Sequence, residues 1–248
     1  MLENISSISP FSHPGRDPVW LNSDQPNYSY SSCDYSWQHY NHDCYKRYGI
    51  QRPAELANAT ARRHCEFIAG RHCASQAIQS LQQSPDSASQ AQIPMQPDRS
   101  PRWPGGIIGS ISHSDGRAMA VVGSADKYAG LGIDCETLLT DSGATEITDM
   151  VLEPLEKALL LNRQGDFGFL LTLAFSAKES LFKALSPSFT VVKSFHDFSI
   201  YSISANKLIL RPTKRLNGNW SETTEFRIDY TRQEKQLLTM AVITTPDR

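Results

Sequence analysis

Phe175-Ser176-Ala177-Lys178-Glu179-Ser180-Leu181-Phe182-Lys183-Ala184-Leu185 follows an apolar run from Phe167 to Ala174, and the two together read as one helix. A helix this apolar belongs in a core, yet it carries Lys178, Glu179 and Lys183. Glu179 and Lys183 stand four residues apart, on one face. Charges in such a helix are costly to bury unless they are paired or given a ligand. Two readings stand open: a solvated edge stitched by a Glu-to-Lys pair, with Lys178 a solvent-facing neighbour, or a site for something charged. Upstream lies a second acidic pair, in Gly132-Ile133-Asp134-Cys135-Glu136. Side chains alternate along a strand, so Asp134 and Glu136 point one way while Ile133 and Cys135 point into the core. Two carboxylates on one face repel each other unless a cation sits between them. On that reading, Asp134→Ala relieves repulsion and leaves the fold as stable or more so.

The chain has 248 residues, 40% hydrophobic and 20% charged, which suits a soluble globular protein of one large domain or two smaller ones. Its net charge of -2 argues against a broad nucleic-acid surface. No apolar run nears the ~18 residues of a membrane span, and the polar N-terminus lacks the order of a signal peptide. The five cysteines, at positions 33, 44, 65, 73 and 135, include no CxxC pair, so free thiols and a cytoplasmic setting are expected. His64-Cys65 and His72-Cys73 echo each other eight residues apart. Two such dipeptides two turns apart do not make a compact tetrahedral site and read as helix residues.

Residues 1 to about 50 are polar and rich in Tyr, with no clear period; their aromatic density suits the cover of a core edge. Pro53 to Leu81 reads as a helix carrying Arg62, Arg63 and Arg71, with Arg63 and Arg71 near one face. Residues 82–101, rich in Gln, Ser and Pro, read as a surface loop or partly disordered insertion. Trp103-Pro104-Gly105-Gly106 turns into a strand ending at Ser112-His113, followed by strands at Ala118–Val122 and Leu131–Cys135. A helical region from Ile147 to Asn162 precedes the long helix. Alternating segments then run to Ile243, with Asn217-Gly218 as a hairpin turn. The order of helix, strands, helices and strands is that of an α+β protein.

Four blocks, in this order, resemble the 4'-phosphopantetheinyl transferases of the surfactin-synthetase-activating class. They are Arg62 to Arg71, Arg99 to Pro104 with Gly109 to His113, Gly132 to Glu136, and Leu173 to Ala184. The resemblance runs from about residue 50 to 185. It implies two pseudo-symmetric α+β halves with antiparallel sheets packed on long helices. Residues 1–123 would contact the coenzyme A nucleotide, 124–248 would carry magnesium and catalysis, and coenzyme A would lie in the cleft between them. The implied reaction is attack by a carrier-protein serine on the coenzyme A pyrophosphate, which transfers 4'-phosphopantetheine and releases 3',5'-ADP. Asp134, Glu136 and Glu179 would hold magnesium, which prefers oxygen ligands. Glu179 would also take the serine proton, directly or through water, and Lys183 would stabilise the leaving phosphate. Arg63, Arg71, Arg99, Ser112 and His113 would hold the nucleotide end and its 3'-phosphate, a task that suits the guanidinium fork. Without the resemblance, Arg63 and Arg71 read as a solvated helix face and His113 as a strand end satisfied by backbone.

The implied partners are coenzyme A and apo carrier domains of siderophore or other nonribosomal-peptide or polyketide synthesis, with the enzyme a monomer. Two departures stand out. Cys135 replaces the usual isoleucine or valine, and Gln96-Pro97-Asp98 stands where relatives often carry a glycine turn. The rival readings are a catalytically silent module that binds coenzyme A or carrier proteins, and a metal-dependent phosphohydrolase.

Overall fold

The computed structural model describes residues 11–12, 27–82, 91–163, 165–186, 194–216 and 220–245. The chain forms two compact units, one of residues up to Ile107 with Ile111–Gly123, the other of Ile108–Ser110 with Ser124 onward. Among the described residues no helix is long and apolar enough to cross a membrane.

In the first unit, strands β1 (Phe11–Ser12) and β2 (Tyr28–Tyr35) lead to a short helix α1 (Asp43–Arg47) and the long helix α2 (Ala61–Gln82). Strands β3 (Ile107–Ser114) and β4 (Arg117–Ser124) complete a sheet of order β1-β2-β4-β3. β2 is a strand in a stretch that shows no period. The reason lies in its phase: Tyr28, Tyr30 and the buried Ser32 share one parity, whereas the buried Cys33 and Tyr35 lie on the other. The helix starts eight residues later than Pro53 because the Thr60 hydroxyl accepts from the Arg63 amide at 3.3 Å and caps it there. Only a single 3-10 turn, Ala54–Leu56, fills the space before it. Cys65, Ala69, Cys73, Ala74 and Ala77 pack this helix on Cys33, Ala118, Ala120 and Val122, small side chains that bring helix and sheet close. Residues 91–101 are tied down rather than loose: Ile93 is buried, and Met95 bridges Pro101.

The second unit begins with β5 (Tyr128–Thr137), helix α3 (Asp141–Val151) and helix α4 (Pro154–Leu161). The single helical region expected from Ile147 to Asn162 is thus two helices. Pro154 opens the second and holds Glu153 extended, which breaks the first at Leu152. Helix α5 (Phe167–Leu185) has the bounds expected of it, capped by Asp166, whose side chain accepts from the Phe169 amide. Strands β6 (Phe198–Ile203), β7 (Lys207–Pro212), β8 (Phe226–Gln233) and β9 (Gln236–Thr244) follow, in a sheet of order β5-β9-β8-β7-β6. The Asn217-Gly218 turn lies outside the described residues. Each unit is therefore an antiparallel sheet carrying one long helix.

α5 lies against β5 at backbone distance. A methyl group on Gly132 would stand 1.8 Å from the Ser180 carbonyl oxygen, and one on Gly130 would stand 1.9 Å from that of Ala184. Neither neighbour is a flexible side chain, so the helix itself would have to move. Gly132→Ala is expected to cost about 3 kcal/mol or to prevent folding. Gly105→Ala, with open space around it, should stay within about 0.5 kcal/mol. Thermal melts of the two variants check this.

Candidate active site

Gly130, Gly132, Asp134 and Glu136 alternate onto the face of β5 that meets α5. Two empty positions bring the helix close enough for the third to reach it. Asp134, only 2% exposed, accepts from the Ser176 hydroxyl at 2.8 Å through Oδ2 and from Lys183 Nζ at 2.6 Å through Oδ1. Ile133 and Cys135 are fully buried, as the alternation requires. Burial disfavours the Lys183 charge, but Asp134, then Glu179 and Glu136, outweigh it and hold the ammonium above its ordinary range. Burial pushes the Glu179 carboxyl up, Lys183 opposes this, and Asp134 adds to it. Three carboxylates thus act on one ammonium. Among the described residues no three His, Cys, Asp or Glu side chains are gathered closely enough to hold a metal ion. The oxygen-only donor set suits a hard cation by its chemistry, and Lys183 supplies positive charge beside it.

Lys178 is not a solvent-facing neighbour. It is 1% exposed, and its ammonium donates to Glu156 Oε2 and to the Val151 carbonyl, each at 2.9 Å. Glu156, 4% exposed, also accepts from the Ile200 amide at 2.8 Å and the Glu153 amide at 3.0 Å. One buried ion pair therefore ties α3, α4, α5 and β6 together. Burial lowers the Lys178 pKa against the pull of Glu156.

The first unit holds the basic residues. Arg63, Arg71, Arg99 and His113 line one pocket of about 110 Å³, together with Glu66, Phe67, Met95, Pro101 and Ile111. Arg63 lies 3.1 Å from His113 Nε2 and 3.2 Å from Glu66, so neither Arg63 nor His113 is left to solvent and backbone alone. Arg71 is 8% exposed, donates to the Ile93 carbonyl at 2.7 Å and stacks on Phe67. No carboxylate pairs with it among the described residues. Burial, with Arg63 adding, lowers its pKa to about 10. Arg99 sits in the left-handed region at φ 70, in a turn where its amide donates to the Gln96 carbonyl. That backbone is uncommon for a residue with a side chain and marks a constrained position. Ser112 alternates with the pocket-lining Ile111 and His113; it is buried and does not line the pocket.

The profile of the 4'-phosphopantetheinyl transferase N-terminal domain matches residues 52–123, and that of the 4'-phosphopantetheinyl transferase superfamily matches residues 130–241. Enterobactin synthase component D of Salmonella typhimurium is 30% identical over 186 residues, covering 75% of this chain and 74% of its own length. The chain belongs to the 4'-phosphopantetheinyl transferase superfamily. The transferase is also similar to enterobactin synthase component D of Escherichia coli O157:H7, 31% identical over 75% of this chain and 81% of that protein. The 4'-phosphopantetheinyl transferase PptT of Mycobacterium tuberculosis is 33% identical over 53% of this chain and 55% of its own length. A solved holo-(acyl-carrier-protein) synthase from Bacillus anthracis, in complex with CoA (3',5'-ADP), aligns over 48% of this chain and 99% of its own at 18% identity and a TM-score of 0.38. The activity of this transferase is transfer of 4'-phosphopantetheine from coenzyme A to a carrier protein.

Sequence reasoning missed Ser176, Thr239 and Glu156, each of which meets its partner only through the fold. For Asp134→Ala the contacts point to the opposite sign from the one expected of the sequence. Asp134 is held by a hydroxyl and an ammonium, so its removal leaves the Ser176 hydroxyl without its acceptor and takes the nearest anion from Lys183. Asp134→Ala is expected to lose about 1–3 kcal/mol. Lys178→Met, which strands Glu156 in the core, should lose about 3–5 kcal/mol. Urea titrations at neutral pH order the two.

Proposed function

We propose that this transferase works with magnesium held by Asp134, Glu136 and Glu179, while the basic pocket of the first unit takes the 3'-phosphate end of coenzyme A. The observation that carries the metal assignment is the charge of the cluster: one Lys183 ammonium stands in the field of three carboxylates, one of which burial already resists ionising. Such a set is incomplete without more positive charge. Bound there, magnesium supplies the charge that developing phosphate oxygens need. Glu179, with its raised pKa, is suited to take the serine proton, directly or through water. Lys183 stays charged throughout and faces the phosphate that departs with 3',5'-ADP. Arg71 supports the nucleotide assignment, since a buried guanidinium with no carboxylate partner among the described residues calls for an anion. Arg63, Arg99 and His113 join it there; Ser112 contributes from its strand rather than from the pocket lining.

The carrier is taken to be a domain of siderophore or other nonribosomal-peptide or polyketide synthesis, on the strength of relatives named enterobactin synthase component D. The five free cysteines are in keeping with a cytoplasmic setting, and the enzyme is taken to act as a monomer.

Intact-mass measurement of an apo carrier domain incubated with enzyme, coenzyme A and magnesium tests the whole reading. Conversion that stops with a chelator and returns with magnesium is the expected result. Coenzyme A consumed without carrier would show a phosphohydrolase instead, and binding without conversion a silent module. Glu179→Gln is expected to lose metal affinity and turnover together. Lys183→Ala should retain the metal and lose mainly kcat, because its partner charge grows only as the phosphate leaves.

A separate measurement addresses the pocket. Arg71→Ala and His113→Ala should raise KM for coenzyme A more than for dephospho-coenzyme A. A charge-assisted contact of about 1.5–3 kcal/mol corresponds to a factor of tens. Equal losses on both substrates would remove the 3'-phosphate assignment.

A further inference from the structure

Asp134 is not positioned by Lys183 alone. Thr239 lies directly opposite it on β9, and Ser176 of α5 stands between the two. The Ser176 hydroxyl is 2.8 Å from Asp134 Oδ2 and 2.9 Å from Thr239 Oγ1, and Thr239 Oγ1 is also 2.8 Å from the Ser176 carbonyl oxygen. Ser176 and Thr239 are fully buried and Asp134 is 2% exposed.

Counting protons gives this chain a direction. An ionised carboxylate only accepts, and each hydroxyl has one proton to give. Ser176 therefore gives its proton to Asp134. Thr239 must then be the donor in its contacts with Ser176, to the hydroxyl oxygen or to the carbonyl. Given to the hydroxyl oxygen, the Thr239 proton fixes where the Ser176 hydroxyl points; given to the carbonyl, it fixes the Ser176 backbone that carries the hydroxyl. Ser176 in turn fixes Oδ2. Oδ2 is thereby turned into the packed layer between helix and sheet, while Oδ1 is the oxygen that meets Lys183.

We infer that Ser176 and Thr239 are positioning residues for the metal ligand Asp134: they lock its carboxylate in one orientation through a buried hydroxyl relay. The inference rests on Asp134 being a magnesium ligand, as proposed above. Neither residue touches substrate. Their contribution is to spare the site the reorganisation of a free carboxylate when a cation arrives. Partners behind a ligand typically contribute about 10–100-fold in metal affinity.

The test is Mn2+ binding followed by loss of the free-ion EPR signal, with coenzyme A saturating, its own Mn2+ binding subtracted, and no carrier present. Nothing turns over under these conditions. Wild type, Asp134→Asn, Ser176→Ala, Thr239→Val and Thr239→Ser are compared. Asp134→Asn is expected to abolish protein-dependent binding. Ser176→Ala and Thr239→Val are expected to weaken it about tenfold, and Thr239→Ser, which keeps the hydroxyl, to bind within about twofold of wild type. With magnesium in the full reaction, Ser176→Ala and Thr239→Val should raise the metal KM while keeping kcat at saturating metal.

If wild type binds no Mn2+, or Asp134→Asn binds as wild type does, the metal reading itself falls. If Asp134→Asn loses the ion while Ser176→Ala and Thr239→Val keep it, the relay is overturned and the metal reading stands. A purely structural role would lower the melting temperature of Thr239→Val without changing the affinity of the folded protein, and that also overturns the relay. Should Ser176→Ala not fold, the Thr239→Val and Thr239→Ser pair carries the test by itself.

Discussion

The second unit depends on how closely one helix approaches one strand. At Gly130 and Gly132 there is no room for a methyl group, because the carbonyl oxygens of Ala184 and Ser180 occupy that space. A helix laid on a sheet of ordinary side chains stands well clear of its backbone. Here the missing side chains let α5 settle onto β5, and the next position on the same face, Asp134, meets the helix directly. A short aspartate then reaches both Ser176 and Lys183, seven residues apart on α5. With a bulkier pair in place of the glycines, Asp134 would face a gap. The carboxylate cluster is thus a consequence of packing, and the glycines belong to the site as much as the charges do.

That approach also sets the electrostatics. Asp134 and Glu179 are brought from separate elements into mutual influence, and Lys183 is drawn among them. Burial alone would neutralise such a set. The lysine holds it together and leaves the cluster net negative. The first unit offers the complementary case, a guanidinium kept buried near another cation, donating to a carbonyl and stacked on a ring, with no carboxylate paired to it among the described residues.

What could be read from the sequence divides along physical lines. Local periodicity found α5 to the residue, and strand alternation found the shared face of Asp134 and Glu136, because both are written in neighbouring positions. The strand β2 escaped because its buried residues change parity partway along. Lys178 was misread for a different reason. Its partner Glu156 lies 22 residues back, across a loop and a helix, and no spacing rule connects them. Thr239 lies 63 residues from Ser176, and only the register of β9 on β5 puts it opposite Asp134. Polar residues in an apolar pattern announce that they need partners, but they do not say where those partners are. The sign expected for Asp134→Ala reverses for the same cause: repulsion from Glu136 is visible in sequence, whereas attraction to Lys183 requires the fold.

Lys178 and Lys183 show how one helix assigns opposite tasks to the same side chain. Lys178 has its needs met by a carboxylate and a carbonyl, both equally buried, and Glu156 is in turn held by two backbone amides. Moving any member of that set would expose several unmet polar groups, so the network is fixed, and desolvation lowers the lysine's pKa. Lys183 is a quarter exposed, pairs with Asp134, reaches the Ile133 carbonyl at 3.4 Å and feels Glu179 and Glu136 as well. Its pKa moves the other way. The fully buried pair holds α5 to α3 and α4, and the part-exposed, charge-rich one holds it to β5. The five-residue spacing puts the first on the side of α5 that meets α3 and α4, and the second on the side that meets β5.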